Sequence, residues 1–302
     1  MKENSSVVTN SMQAWILAAR PKTLTGAAVP VMAGVATAYA DGSFHWFPAL
    51  LCLLFAFLMQ VDANFINDYY DFKKGLDDES RLGPKRACAE GWITLTAMRC
   101  GITMCTLLSC LTGFPLVVYG SWSMIWIGIA CVIFCFLYTT LMARLGLGDV
   151  LVLVFFGLVP VCATYYIQTG SITLTVFLIS LACGLVIDCL LIVNNYRDRE
   201  TDKTGGKITL VVKIGGKAAE NLYLWSGIAA VGLCQAAWWD GKGWGMLPVL
   251  LYLLPHAATW KRMKRIRHGR ALNAVLGDTA RNIFIFGVLL TVGQIIYPLT
   301  IS

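Results

Sequence analysis

Charge is what this chain has least of. Asp, Glu, Lys and Arg make up 14% of its 302 residues, where an ordinary soluble domain carries about 25%. Disordered chains and coiled coils need more charge than this, so both are excluded. A nucleic-acid-binding module is excluded as well, although the net charge is +7. Histidine is also scarce: the three present, His45, His256 and His268, are far apart and suggest no metal site. Cysteine is present, eleven times, but without a close pair of zinc-ribbon type. Cys131 and Cys135 share a helix face, and buried thiols of this kind serve as small hydrophobes. What fills the chain instead is apolar: 57% hydrophobic residues and a mean hydropathy of +0.67. That composition predicts an integral membrane protein.

A helix needs about 20 mostly apolar residues to cross a bilayer. Such stretches fall near 18–40, 47–66, 98–118, 123–141, 149–168, 172–195, 218–238, 244–260 and 280–300, nine in all. Pro21 and Pro30 lie in the first, which a membrane helix tolerates where neighbours satisfy the freed carbonyl. A cleaved secretory signal fits less well, because a polar lead of about 20 residues precedes the segment and no small-residue cleavage site follows. The short segments between spans (41–46, 119–122, 169–171 and 239–243) hold Lys242 alone of the 24 Lys and Arg. The others lie in the N-terminal tail, the long segments and the span ends beside them. This alternation fits the positive-inside rule. It predicts a multi-pass protein of the cytoplasmic membrane, with the N-terminus in the cytoplasm and, after nine spans, the C-terminus outside.

The acidic residues are clustered. Nine of the 17 lie in two short stretches, 62–79 and 198–202, each beginning where an apolar span ends. The stretches repeat: Asn67-Asp68-Tyr69-Tyr70-Asp71 returns as Asn194-Asn195-Tyr196-Arg197-Asp198, 127 positions later. Each is followed by a Gly-rich basic segment, Gly83-Pro84-Lys85-Arg86 and Gly205-Gly206-Lys207, and then by Thr-Leu, at Thr94-Leu95 and Thr209-Leu210. On a helix, residues four apart share a face about 6 Å apart along the axis. Asn67 and Asp71 therefore point one way, as do Asn194, Asp198 and Asp202. Stripes of amide and carboxylate oxygens suit a hard cation such as Mg²⁺, which completes its shell with water and phosphate oxygens. Two facing stripes would bridge metal to a diphosphate. Arg197, Arg199, Lys203 and Lys207 stand by to pair with the acids or to hold phosphate, for which Arg is well shaped. The plainer reading of one such stripe is a solvated helix end; duplication with the same sequel weakens it.

These residues resemble the UbiA superfamily of membrane-bound aromatic prenyltransferases, and most of all its branch that prenylates 1,4-dihydroxy-2-naphthoate in menaquinone biosynthesis. The stretch 61–75 looks like the family's first Asp-rich motif and 194–210 like its second. Arg20-Pro21-Lys22-Thr23-Leu24 and the segment 144–149, from Arg144 to Asp149, are also similar. The likeness runs nearly the whole chain, 1–302, read as one domain with motif segments near 67–97 and 194–217. It implies an all-α bundle of nine transmembrane helices around a central cavity, with the Asp-rich motifs at its cytoplasmic face. Phe72 and Gly75 stand where 4-hydroxybenzoate prenyltransferases carry Arg and Asp; either Asp77 or Asp68 takes the missing carboxylate's place.

The resemblance implies transfer of a polyprenyl group from polyprenyl diphosphate to the naphthoate ring, with loss of CO₂ and diphosphate. Asn67, Asp71, Asn194, Asp198 and Asp202 carry over as Mg²⁺ or diphosphate residues. Arg20, Arg144, Arg197, Lys203 and Lys207 carry over as diphosphate or carboxylate contacts, with Asp68 and Asp77 beside them. Tyr69, Tyr138 and Asp149 are expected on the acceptor's side. Membrane lipid is the remaining partner; nucleic acid is not. Two alternatives are another aromatic acceptor such as 4-hydroxybenzoate and, in a different class, a secondary transporter, where internal repeats and intramembrane acids also occur. A CDP-alcohol transferase is disfavoured because its Asp-Gly-x-x-Ala-Arg pattern is absent. The basic run 261–270 reads as a topology anchor or a lure for anionic lipid. Asp62 and Asp188 are costly enough within apolar spans to suggest a role.

Overall fold

A computed structural model describes residues 7–75, 81–138, 146–237 and 243–301, with no side-chain placement for 243–244 and 298–301. Among the described residues there is no strand. Helix α1 (Met12–Ala19) meets α2 (Leu24–Ala40) at a break where Arg20 takes a left-handed φ of 49° and Pro21 opens a 3₁₀ turn. Then follow α3 (Trp46–Lys73), α4 (Leu95–Gly113), α5 (Leu116–Gly120) and α6 (Ser123–Leu137). The second half comprises α7 (Gly148–Val152), a π-helical turn (Leu153–Leu158), α8 (Val159–Thr169), α9 (Leu174–Thr204) and α10 (Leu210–Ile214). It closes with α11 (Gly216–Ala236), a 3₁₀ run (Gly243–Tyr252), α12 (Leu253–Ile266) and α13 (Leu272–Ile301).

Among the described residues, six stretches are long and apolar enough to cross a membrane: Met12–Ala40, Trp46–Lys73, Leu95–Gly113, Gly148–Thr169, Leu174–Thr204 and Leu272–Tyr297. The described residues of the other three expected spans are helical but fall short by length or polarity. α6 is short among the described residues. α11 begins with Lys217, Glu220 and Asn221. The segment expected at 244–260 is 3₁₀ around Pro248 and turns α-helical only at Leu253. The span expected at 98–118 is likewise divided, since α4 ends at Gly113 and Pro115 precedes the short α5.

Both motifs occupy the last turns of the longest helices of their halves. α3 has 28 residues and α9 has 31, so at about 1.5 Å per residue each outruns a hydrocarbon layer of about 30 Å. Each ends the same way. Gly75 after α3 and Gly206 after α9 adopt φ of +67° and +72°, the left-handed stop that glycine makes cheaply. The repeated Thr-Leu also has a structural reason. The Thr94 hydroxyl accepts from Ala97 N and caps α4, and the Thr209 hydroxyl accepts from Val212 N and caps α10.

α9 is the central post. Its Val176, Ile179, Cys183 and Val186 are buried against Val29 of α2, Val161 of α8, Ala230 of α11 and Phe286 of α13. Lipid tails are as apolar as these side chains, so close approach at small residues carries much of such packing. A Cβ on Gly157 would lie 2.6 Å from Ser180 O and 2.8 Å from Gly184 Cα. At the end opposite the motifs, Tyr165 Oη donates to Asp41 Oδ2 at 2.5 Å, while His45 and Gln168 exchange two hydrogen bonds.

Candidate active site

One cavity of about 1580 Å³ opens among these helices, larger than the 300–1,000 Å³ usual for a small-molecule pocket. It is lined by Asn67 and Asp71 of α3 and by Asn194, Asp198 and Asp202 of α9. The two stripes, 127 residues apart in sequence, thus border a single space. Arg20, Lys22, Arg81, Arg86 and Lys207 surround the same region. Away from it the wall is apolar, with Val31, Met59, Phe134, Phe155 and Phe156 among its residues. The Phe134 and Phe155 rings lie 4.6 Å apart.

Helical spacing explains which motif residues face the cavity. Positions i and i+4 share a face, and position i+2 lies nearly opposite. Tyr196 accordingly turns away from the cavity into the core, where its hydroxyl donates to Glu220 Oε1 at 2.7 Å. Tyr69 also turns away, packing with Trp92 and Met98 and edge-on to Tyr70 at 5.2 Å. Tyr69, expected on the acceptor's side, is thus not among the cavity-lining residues, and the repeated Tyr packs against core residues in both halves.

Asp68, expected beside the diphosphate, also lies off the cavity wall. Its side chain is 1% exposed. It pairs with Arg20, accepts from Arg86 Nη1 at 2.9 Å and from Ala87 N at 2.9 Å. Arg86 also donates to Asp71 Oδ2 at 3.2 Å. So Asp68 anchors the loop after the first motif and fixes the two arginines that edge the site. Asn64, one turn earlier, donates to Ala19 O and Thr23 Oγ1, each at 2.9 Å, and fastens the α1–α2 break to α3.

Arg197 was expected at the diphosphate, but its side chain is 1% exposed. Nε and Nη2 grip Asp198 bidentately at 2.7 and 2.6 Å, and Nη2 also donates to Asn194 Oδ1 at 2.8 Å. Nη1 donates to Asn273 Oδ1 of α13 at 2.8 Å. Asn273 in turn donates to Leu82 O at 2.9 Å, in the loop following the first motif. One buried guanidinium thus sets two cavity-facing oxygen donors and ties the second motif to the first. Asp202 faces Lys207 Nζ at 3.4 Å. Lys203, expected beside the diphosphate, is exposed and does not line the cavity. Asp77 and Arg144 lie outside the described residues.

Tyr138 and Asp149 border the cavity. Asp149 is 7% exposed and its Oδ1 has no hydrogen-bond partner. The basic run 261–270 stays off the cavity; Arg262 pairs with Asp278 at 2.5 Å. His256 is buried between Tyr223 and Tyr252, with Nε2 3.1 Å from Tyr223 O. All eleven cysteines are free thiols. No three of His, Cys, Asp or Glu converge into a metal cage among the described residues. Sequence reasoning missed Arg86 and Asn273 as site residues. Arg86 had a signal in the basic sequel to the first motif; Asn273 had none, since nothing local links it to residue 197.

Comparison with known proteins gives consistent findings. The family model described as "UbiA prenyltransferase family" matches residues 27–295. The 1,4-dihydroxy-2-naphthoate octaprenyltransferase of Haemophilus influenzae is 36% identical over 223 residues, covering 70% of this chain and 72% of the relative. That of Mycobacterium leprae is 32% identical over 292 residues, covering 92% and 95%. Among solved structures, the apo UbiA homolog of Aeropyrum pernix superposes with a TM-score of 0.68 at 16% identity, over 90% of this chain and 97% of that one. A UbiA homolog of Archaeoglobus fulgidus bound to GPP and Mg²⁺ gives 0.65 at 15% identity, over 92% and 99%. At these identities the structural likeness shows the fold.

Proposed function

The chain belongs to the UbiA prenyltransferase family, and on that footing we propose that it transfers a polyprenyl group from polyprenyl diphosphate to 1,4-dihydroxy-2-naphthoate. CO₂ and diphosphate leave, and demethylmenaquinol forms for menaquinone biosynthesis. The observation that carries this reading is one cavity with two chemistries: facing amide–carboxylate stripes at one end, and an apolar wall leading away from them. The relatives named for this reaction support the choice of acceptor.

Asn67, Asp71, Asn194, Asp198 and Asp202 would hold Mg²⁺. Five oxygen donors without a closed cage fit an ion that keeps water and phosphate oxygens in its shell. Bound there, Mg²⁺ supplies charge neutralisation for the leaving diphosphate. Arg20, Arg86 and Lys207 add fixed positive charge where negative charge grows on the leaving group, the arrangement that lowers a barrier most effectively in a dry site. Arg86 and Arg197 hold the stripes in register. The apolar wall takes the isoprenoid tail and keeps water from the allylic carbon as it becomes cationic. Tyr138 and Asp149 flank the place from which an aromatic ring would approach.

The same reading places all nine apolar segments across the cytoplasmic membrane as one unit, with the motif end and the N-terminus in the cytoplasm and the C-terminus outside. The distribution of Lys and Arg supports it. Purified protein given polyprenyl diphosphate and 1,4-dihydroxy-2-naphthoate is expected to release prenylated product and CO₂ with Mg²⁺ and neither after chelation. No metal-dependent product across several tail lengths and acceptors, 4-hydroxybenzoate included, would overturn the reading.

A further inference from the structure

Beyond the motifs, the cavity has a second polar patch. α7 packs its first turn onto α9, so that a Cβ on Gly148 would lie 3.3 Å from Leu191 Cδ2 and 4.0 Å from Tyr138 Oη. Asp149, next to Gly148, borders the cavity. Asp188, one turn before Leu191 on the same face of α9, is 5% exposed. Each carboxyl has an Oδ1 with no hydrogen-bond partner. Tyr138, Asp149 and Asp71 of the first motif all line this one cavity. Buried carboxyl oxygens without partners are costly, and no hydrogen bond of the packing satisfies either one.

We propose that Asp149 and Asp188 form the acid–base pair that handles the acceptor's ring proton, with Asp149 touching the acceptor and Asp188 positioned behind it. This rests on the naphthoate reading above. The prenyl C1–O bond breaks, its electron pair leaving with diphosphate, as a new bond forms from C1 to the ring carbon bearing the carboxylate. The neighbouring ring hydroxyl gives its proton to the pair, and its carbon becomes a ketone. The product is a β-keto carboxylate, which loses CO₂ readily. The electrons of the broken C–CO₂ bond return to the ring, and the pair returns the proton to the ring oxygen. The pair ends as it began. Two carboxyls carrying one proton between them suit such a loan, since like charges at close range resist full ionisation.

The test compares Asp149→Asn, Asp188→Asn and Asp149→Glu with the unchanged protein. Binding of polyprenyl diphosphate with Mg²⁺ is measured first and is expected to be unaltered. With 1,4-dihydroxy-2-naphthoate, kcat of both Asn variants is expected to fall about 100-fold or more, and Asp149→Glu to recover part of it. With a ring-fluorinated analogue whose hydroxyl is already ionised at the assay pH, the loss is expected to shrink to within tenfold. Near-normal activity of either Asn variant overturns the assignment. So do an equal loss with both acceptors and a loss of diphosphate binding. Should the unchanged protein prenylate a different hydroxyaromatic acid and not the naphthoate, the preceding reading fails. The pair is then judged by the same comparison on that acid.

Discussion

At the scale of single residues, the site divides into groups that face the cavity and groups that hold them. Asp71 and Asp198 belong to the first. Asp71→Ala and Asp198→Ala are each expected to lower turnover at least about 100-fold while the protein still inserts and folds; near-normal turnover in either would remove both from the metal site. Arg197 belongs to the second. Its bidentate grip on Asp198 and its bonds to Asn194 and Asn273 use the planar fork of a guanidinium, which an ammonium cannot reproduce. Arg197→Lys is expected to raise the Mg²⁺ needed for half-maximal turnover about 10–100-fold. Lys203→Ala, on the outer face, should stay within about twofold. A Mg²⁺ titration of both variants checks the contrast; equal sensitivity would mean that Arg197 does not set the metal ligands. Helical periodicity is written in the sequence, so the five inward-facing residues were legible. The distant partners of Asp68 and Arg197, Arg20 and Asn273 among them, arrive from elsewhere in the chain, and no local pattern announces them.

Among the elements, what was legible is what local chemistry decides. Apolar runs gave the helices, Gly75 and Gly206 their ends, and Thr94 and Thr209 the starts of the next ones. The 3₁₀ run at Gly243–Tyr252 and the π turn at Leu153–Leu158 were not. Both depend on how neighbours press against the backbone. The π turn has a visible use: it lies where Gly157 meets Gly184 and Ser180, and it presents Phe155 and Phe156 to the cavity. A side chain at 157 would strike α9 backbone, which cannot swing aside as a flexible side chain could. Gly157→Val is expected to cost about 1–3 kcal/mol through overpacking, seen as a lower melting temperature in detergent, with a larger fall in activity than in stability because the aromatic wall moves with the turn. An unchanged melting temperature would show that the two helices are not in this contact. Gly232→Val, at an exposed position of α11 off the cavity with nothing near its Cβ, is the matched control.

For the molecule as a whole, charge and geometry make one joint statement. Arg86 with Asp71, and Arg197 with Asn273 and Leu82, are joined at one end of the bundle, and Asp41, His45, Tyr165 and Gln168 pair at the other. The first end carries the dense Lys and Arg; the second has almost none. On the proposed orientation, with the basic segments kept in the cytoplasm, the cavity would open toward the compartment that supplies an anionic diphosphate. Single cysteines introduced at the two ends test this against the background of the native thiols. Ser171→Cys, at the sparsely charged end, is expected to react with a membrane-impermeant maleimide in intact cells. Lys85→Cys, whose native side chain is 68% exposed, should react only after permeabilisation. The reverse pattern would invert the orientation while leaving the fold intact. Labelling of both from one side would break the link between the two-ended structure and the membrane, because two ends of one transmembrane bundle cannot share a compartment.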